Sequence, residues 1–224
     1  MRPTEEQIRE LAHNLRPVRP IPPLSAVFAT GTAIWIASVV VWHWFGSAHI
    51  RPWGRPDLSS PTFLFTLIGL TLLAVGATAG AIASSVPGRH STARAGLGLA
   101  ALGLAVSVAG GVLSTPWAEL RFDVDELLAC LSCISNSTGL GILSALISCA
   151  FIGYAVVRRP IASASLAIVG GVALGAIVVH ATCEVTEGAH QLVSHVLAPL
   201  IAAAILSLPA SIATRVISRH VRRD

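Results

Sequence analysis

The sequence predicts an all-α membrane protein: a polytopic bundle of six transmembrane helices with both termini in the cytoplasm. Of its 224 residues, 54% are hydrophobic and 12% are charged, whereas a soluble domain carries about 25% charged residues. Long apolar runs and 19 glycines accompany this low charge. These observations indicate a chain that crosses a membrane repeatedly rather than one that folds around a soluble core.

Six apolar segments are long enough to cross the hydrocarbon layer, which takes about 20 helical residues. None has Asp, Glu or Arg in its middle. The predicted spans are Leu24–Gly46, Pro61–Val86, Ala93–Leu113, Gly139–Val157, Ser163–Ala181 and Leu192–Ile212. Because residues 1–23 are polar and rich in proline, the first run is expected to be a span and not a signal peptide. The chain thus divides into an N-terminal segment (1–23), a transmembrane domain (24–214) and a basic tail (215–224).

The distribution of arginine predicts the orientation. With six spans, both ends and the second and fourth loops share one side, which carries 12 of the 15 basic residues. The positive-inside rule places that side in the cytoplasm. Most acidic residues fall on the other side, and Trp42, Trp44, Trp53 and Trp117 cluster near that interface.

Two Gly-xxx-Gly motifs, Gly76 to Gly80 and Gly171 to Gly175, lie within predicted spans. Small residues at this spacing let helix backbones approach closely in lipid. Packing within one bundle is the favoured interpretation, and a homodimer interface is the alternative.

Residues 4–16 (TEEQIRELAHNLR) have the pattern of a short amphipathic helix on the cytoplasmic side. Ile8, Leu11 and Leu15 share one face at the i, i+3, i+7 spacing. Residues 17–23 (PVRPIPP) are expected to form a stiff extended tether into the first span. The helix is expected to pack on the bundle, to lie on the lipid surface, or to act as a helix-in-groove ligand for a soluble partner.

Three of the four cysteines are expected near the outer face. Cys130 and Cys133 form a CxxC before the fourth span, and Cys183 follows the fifth. Other groups nearby that can bind a metal are His180, Glu184, Glu187, His190 and His195. Three interpretations stand: a disulfide between Cys183 and one of the CxxC cysteines, a thiol or metal sensor, or unlinked polar groups. The candidate metal ligands are His180, Cys183, His190 and His195. Cys149, inside a span, is expected to pack as a small apolar residue.

Several function classes lack support. The sequence has no Walker loop, dinucleotide fingerprint, GxSxG or HExxH motif. No span carries the buried carboxylate of a proton-coupled transporter. We therefore expect no enzymatic activity, no cofactor and no direct contact with nucleic acid, and contact with membrane lipid throughout.

The opening LAHNLRPVRPIPP (Leu11–Pro23), directly before a first span, resembles the N-terminal signature of the NrsF-type anti-sigma factors. Those are six-span bacterial inner-membrane proteins that hold a sigma factor at the membrane until a signal arrives. Cys130-Leu131 before the fourth span is also similar to that family's pattern, as are His180, Cys183 and Glu184 after the fifth. The light-responsive membrane anti-sigma factor that controls carotenoid synthesis in some bacteria is similar in architecture.

The resemblance implies a multi-pass protein of the bacterial inner membrane that binds an alternative sigma factor of the extracytoplasmic-function type. It also implies that Cys130 and Cys183 take part in perceiving the signal. The expected partner-binding residues are Ile8, Leu11, Leu15, Arg16, Pro17, Val18 and Arg19. The alternative is a membrane protein that senses or handles redox state or metal through its outer-face Cys and His residues.

Overall fold

The computed structural model describes residues 4–13, 23–45, 60–113, 115, 124–155, 159–183, 185 and 188–221. These residues are almost entirely helical and include no β-strand. Six helical segments are long and apolar enough to cross a membrane. The predicted all-α architecture with six spans is therefore confirmed.

The final span differs from the others because it is built from three helical pieces. The elements in chain order are α1 (Glu5–His13), α2 (Leu24–Phe45), α3 (Pro61–Ser85), α4 (His90–Leu113), α5 (Val124–Tyr154), α6 (Pro160–Thr182), α7 (Gly188–Gln191), a π-helical segment (Leu192–Val196) and α8 (Ala198–Val221). The last three follow one another without a loop and together form the sixth span.

Local sequence explains where several helices begin and end. Pro61 occupies the first turn of α3, and the Ser60 hydroxyl accepts a hydrogen bond from the Phe63 N–H. Proline fits this position because the first-turn N–H groups have no partner within the helix. Pro160 begins α6 in the same way. Between α3 and α4, Gly88 has a φ of 82°, a left-handed conformation that favours glycine, so the chain reverses in a short turn.

Four spans begin earlier than the sequence predicts; the third and fifth do so by three residues each, at His90 and Pro160. The fourth span starts at Val124 instead of Gly139, so Cys130 and Cys133 lie on α5 itself and not in a loop before it. Residues 124–138 contain neither Gly nor Pro, so nothing ends the helix there, although Ser and Asn lower its hydropathy. The sixth span likewise begins at Gly188 and not at Leu192.

Glycine allows direct backbone contact between neighbouring helices. A Cβ added at Gly96 of α4 would lie 2.6 Å from the backbone nitrogen of Gly80 in α3. A Cβ added at Gly171 of α6 would lie 2.6 Å from the backbone nitrogen of Ala145 in α5. Both Gly-xxx-Gly motifs therefore take part in packing within one chain.

The core lies between α3 and α6, and α2 is peripheral. Leu70, Ala77, Ile168 and Val172 belong to the main buried cluster, which α8 completes. In each of the other five spans, a third to two thirds of the most apolar stretch is buried, whereas in α2 none of it is. The main packing partner of α2 is α5. The first span is therefore the least firmly held of the six.

We expect Gly96→Ala to destabilise the bundle by about 1–3 kcal/mol, because the added methyl group overlaps the α3 backbone. Gly98→Ala is the matched control, since a Cβ at Gly98 meets nothing within 4 Å. Thermal unfolding of the two purified variants in the same detergent measures the difference. Equal midpoints for both variants would contradict the close α3–α4 contact.

Candidate metal centre

Two cysteines and two histidines converge at the predicted outer end of the bundle. Cys133 lies on α5, Cys183 directly follows α6, His190 lies on α7 and His195 lies in the π-helical segment. One ligand atom of each residue lies within 4.8 Å of the ligand atoms of the other three. We refer to these four residues as the Cys/His site.

The π-helical segment explains how two histidines five residues apart reach the same site. On a regular α-helix, residues five apart point about 140° away from each other. A π turn is hydrogen-bonded from i to i+5, and here the Leu197 N–H donates to the Leu192 carbonyl at 3.0 Å. As a result, the ring centroids of His190 and His195 are 5.6 Å apart. The local change of helix type brings both imidazoles to one side of the span.

Both imidazoles of the site are fully buried, with 1% exposure for His190 and 0% for His195. The Nε2 atom of His190 is 3.6 Å from the Cys183 sulfur, and its Nδ1 atom is 3.5 Å from the Cys130 sulfur. Neither ring nitrogen of His195 meets the geometry of a hydrogen bond with a described residue, although the ring is near enough to Cys183 to lower the pKa of that thiol. A buried polar group without a partner costs about 1–3 kcal/mol, so His195 is a ring for which a bound ion would supply the missing interaction.

Cys183 lies outside the spans and has an acidic thiol. Its pKa is held below the ordinary value chiefly because Cys133 donates a hydrogen bond to the Cys183 sulfur; His190 and His195 act in the same direction, and burial opposes them. The thiolate is the form that binds metals and reacts with electrophiles. Cys183 is therefore the group of the site best prepared to bind a cation.

The residue types and distances fit a tetrahedral ion such as Zn²⁺. Bond lengths of about 2.3 Å to sulfur and about 2.0 Å to nitrogen place tetrahedral ligand atoms roughly 3.3–3.8 Å apart. Since the observed ligand atoms lie within 4.8 Å of one another, binding needs a contraction of at most about 1.5 Å. Two thiolates also balance the charge of a divalent ion, which avoids burying a net charge. Ca²⁺ and Mg²⁺ prefer oxygen ligands and do not suit this set.

His180, a predicted metal ligand, lies beside the Cys/His site and not within it. Its Nε2–H donates to the Phe63 carbonyl at 3.3 Å, and its ring stacks on the Phe63 ring with centroids 4.5 Å apart. The His180 ring is also 5.5 Å from the His195 ring. The ring of His180 therefore packs against His195 without belonging to the group of four ligands. The sequence contains no signal for the role of Phe63, which is 117 residues away from His180 in the chain.

The four cysteines are unpaired in the structure and have different surroundings. Cys130 is buried next to His190, and Cys133 is half-buried within the site. Cys149 packs with Ala81 and Ile152, which confirms its predicted role as a small apolar residue. A disulfide between Cys133 and Cys183 stays a prediction, as does one between Cys130 and Cys183. Glu184 and Glu187 lie outside the described residues.

The predicted partner-binding segment is described only in part. The N-terminal helix is present as α1, which includes Ile8 and Leu11 and whose described side chains are all exposed. The other predicted partner-binding residues lie outside the described part of the chain; they are Leu15, Arg16, Pro17, Val18 and Arg19. The contact with a sigma factor therefore stays a prediction.

Fold and site together define a six-span helical membrane protein with a cluster of two cysteines and two histidines at one end. No protein-family model, curated protein or solved structure matches this chain.

We expect iodoacetamide to modify Cys183 of the metal-free protein at a rate that changes little between pH 8.5 and pH 6.5. The reason is that a thiol with a lowered pKa is still a thiolate in this range, whereas an ordinary thiol loses about tenfold in rate per pH unit. In Cys133→Ala, which lacks the hydrogen-bond donor, the rate of modification should fall steeply as the pH is lowered from 8.5 to 6.5. Peptide mass spectrometry measures both profiles. The same profile in wild type and variant would contradict the assigned cause.

Proposed function

We propose that this protein is a membrane-spanning sensor that binds a thiophilic metal ion, with Zn²⁺ as the reference case, at the Cys/His site. The observation that carries the proposal is the convergence of Cys133, Cys183, His190 and His195 within 4.8 Å. The unpartnered nitrogens of His195 support it. Four protein ligands close a tetrahedral site, whereas catalytic zinc keeps one position open. The site is therefore suited to sensing or stabilisation rather than to catalysis.

Binding at this site would act on the relative positions of the spans. Cys133 belongs to α5, Cys183 follows α6, and both histidines belong to the sixth span. An ion that draws the four ligand atoms closer pulls these three spans together at the predicted outer end. The free energy of metal binding would thereby stabilise one arrangement of the bundle over another.

Cys133 also connects the site to α2, the peripheral span. It packs on the cluster formed by Leu140, Val178 and Val179, against which Trp35, Val39 and Trp42 of α2 also pack. The indole N–H of Trp35 is buried and has no partner among the described residues. A cleft of about 650 Å³ lies beside this contact, between α2 and α5. The contact of α2 with the bundle is thus incomplete, which favours a helix that changes position when Cys133 moves.

Full-length protein in detergent should bind about one Zn²⁺ per chain. We expect Cys183→Ser and His195→Ala to weaken binding by roughly a hundredfold or more, because each removes a direct ligand. Cys149→Ala, which removes a buried cysteine elsewhere on α5, is the matched control and should bind as tightly as wild type. Competition with a coloured chelator gives the Kd values. Binding by His195→Ala with the wild-type Kd would refute the site.

We further propose that the output of the sensor is the retention or release of an alternative sigma factor at the cytoplasmic face. The specific support is the segment Leu11–Pro23, which resembles the N-terminal signature of NrsF-type anti-sigma factors. This segment begins within the exposed helix α1 and ends directly before the peripheral span α2. A change in the position of α2 would reach the segment directly, because the tether ends where α2 begins. Sequestration at the membrane would keep the factor from the core polymerase.

We expect the full-length protein to co-purify with a sigma factor of its own cell. A variant that lacks residues 1–20 should retain about a tenth or less of that amount of bound sigma factor. The removed segment contains α1 and all seven predicted contact residues. Western blotting or mass spectrometry of the eluate measures the bound factor, with Cys149→Ala as a control for folding. Absence of any sigma factor from the full-length eluate would refute this output and leave metal binding unaffected.

A further inference from the structure

Cys130 lies next to the Cys/His site but does not belong to its ligand group. It precedes Cys133 by one turn of α5 and is 2% exposed. Its sulfur is 3.5 Å from the Nδ1 atom of His190, whereas the Nε2 atom of that ring is 3.6 Å from the Cys183 sulfur. The His190 imidazole is therefore held between two sulfur atoms, one at each ring nitrogen.

A histidine that binds a metal through one ring nitrogen carries a proton on the other. The acceptor of that second N–H fixes the tautomer and the orientation of the ring, and it raises the basicity of the ligating nitrogen. Carboxylates, backbone carbonyls and waters are the usual acceptors. In the described structure, the atom in this place at His190 Nδ1 is the sulfur of Cys130.

We infer that Cys130 is a positioning residue of the metal centre: when His190 Nε2 binds the ion, the Cys130 sulfur accepts the hydrogen bond from Nδ1–H and keeps Nε2 directed into the site. This inference rests on the proposed metal-binding function. Cys130 and Cys133 then have separate roles although they form one CxxC. Cys133 supplies a ligand, and Cys130 acts on the ion only through His190.

The contact between Cys130 and His190 is shielded from water. Cys130 and His190 are 2% and 1% exposed, so water has little access to compete for the Nδ1–H. Without the Cys130 sulfur, that N–H would be buried and unsatisfied whenever Nε2 binds the ion. The ring would then favour the other tautomer, in which Nε2 carries the proton and cannot bind a metal. Removal of the acceptor should thus lower metal affinity without a change in the ligand set.

Co²⁺ titration of the reduced, full-length protein in detergent tests this role, because thiolate ligands give bound Co²⁺ an intense charge-transfer absorption. Cys130→Ala should raise the Kd for Co²⁺ roughly 10–100-fold, which is the usual effect of removing the hydrogen-bond partner of a metal ligand. The charge-transfer intensity per bound ion should stay unchanged. Cys130→Ser should recover part of the affinity, because its hydroxyl oxygen also accepts a hydrogen bond. Cys133→Ala should lose about half of the charge-transfer intensity, because it removes one of two thiolates.

Cys149→Ala is the matched control, since Cys149 is a buried cysteine of the same helix that packs away from the site. It should leave both the Kd and the spectrum unchanged. The ¹⁵N shifts of the His190 ring in the Zn²⁺-loaded protein provide a second readout: Nδ1 should be protonated in the wild type, and this preference should weaken in Cys130→Ala.

The possible results separate the two proposals. A wild-type Kd in Cys130→Ala would overturn the positioning role while metal binding stands. A halved charge-transfer intensity in Cys130→Ala would also overturn it, because Cys130 would then be a ligand. Failure of the wild-type protein to bind Co²⁺ or Zn²⁺ would instead overturn the proposed function on which the inference rests.

Discussion

Direct backbone contact between helices at glycine is the interaction on which the rest of this structure depends. Lipid provides no hydrophobic drive for one apolar helix to associate with another, so the spans must gain their stability from close packing. Gly96 against Gly80 joins α4 to α3, and Gly171 against Ala145 joins α6 to α5. These contacts build a firm core of α3 to α6. The Cys/His site lies at one end of that core, where the ends of the fourth, fifth and sixth spans come together.

The site combines groups that would be unfavourable in this position without a ligand. Two imidazoles are buried, and one of them, His195, has no hydrogen-bond partner among the described residues. Cys183 favours the thiolate, a negative charge that the Cys133 S–H stabilises as a donor and that a bound cation would neutralise. A divalent ion satisfies both requirements with no net charge left over. The same two sulfur atoms could instead form a disulfide in an oxidising compartment, so metal binding and oxidation would compete for Cys133 and Cys183.

The unequal packing of the spans has a physical consequence for signalling. Five spans share the core, whereas α2 contacts the bundle mainly through α5 and has no buried stretch. One part of that contact, around Trp35 and Trp42, packs on the cluster that also holds Cys133. A site in the well-packed part of the bundle is thereby placed against the least buried span. Since α2 also continues from the N-terminal segment, it is the natural connection between the two faces.

The sequence by itself determined the number of spans, the helical class and the short N-terminal helix, because each is set by local hydropathy, charge and periodicity. It also placed Cys183, His190 and His195 at one face as candidate ligands. It offered Cys133 for a disulfide with Cys183 or for sensing but not as a metal ligand, because the CxxC was expected in a loop and α5 in fact extends back to Val124. Nor did it separate His180, whose Nε2 bonds to a backbone carbonyl 117 residues away, from the ligand group.

Only the tertiary structure decided which side chains meet. His190 and His195 are five residues apart, a spacing that an α-helix would divide between two faces. A π-helical segment brings them together, and the periodicity of the sequence did not predict this change of helix type. The contact of Cys130 with His190 likewise joins residues 60 positions apart through the antiparallel arrangement of helices. Hydropathy reports the depth of a residue in the membrane, whereas the rotation of each helix about its axis is set by its neighbours.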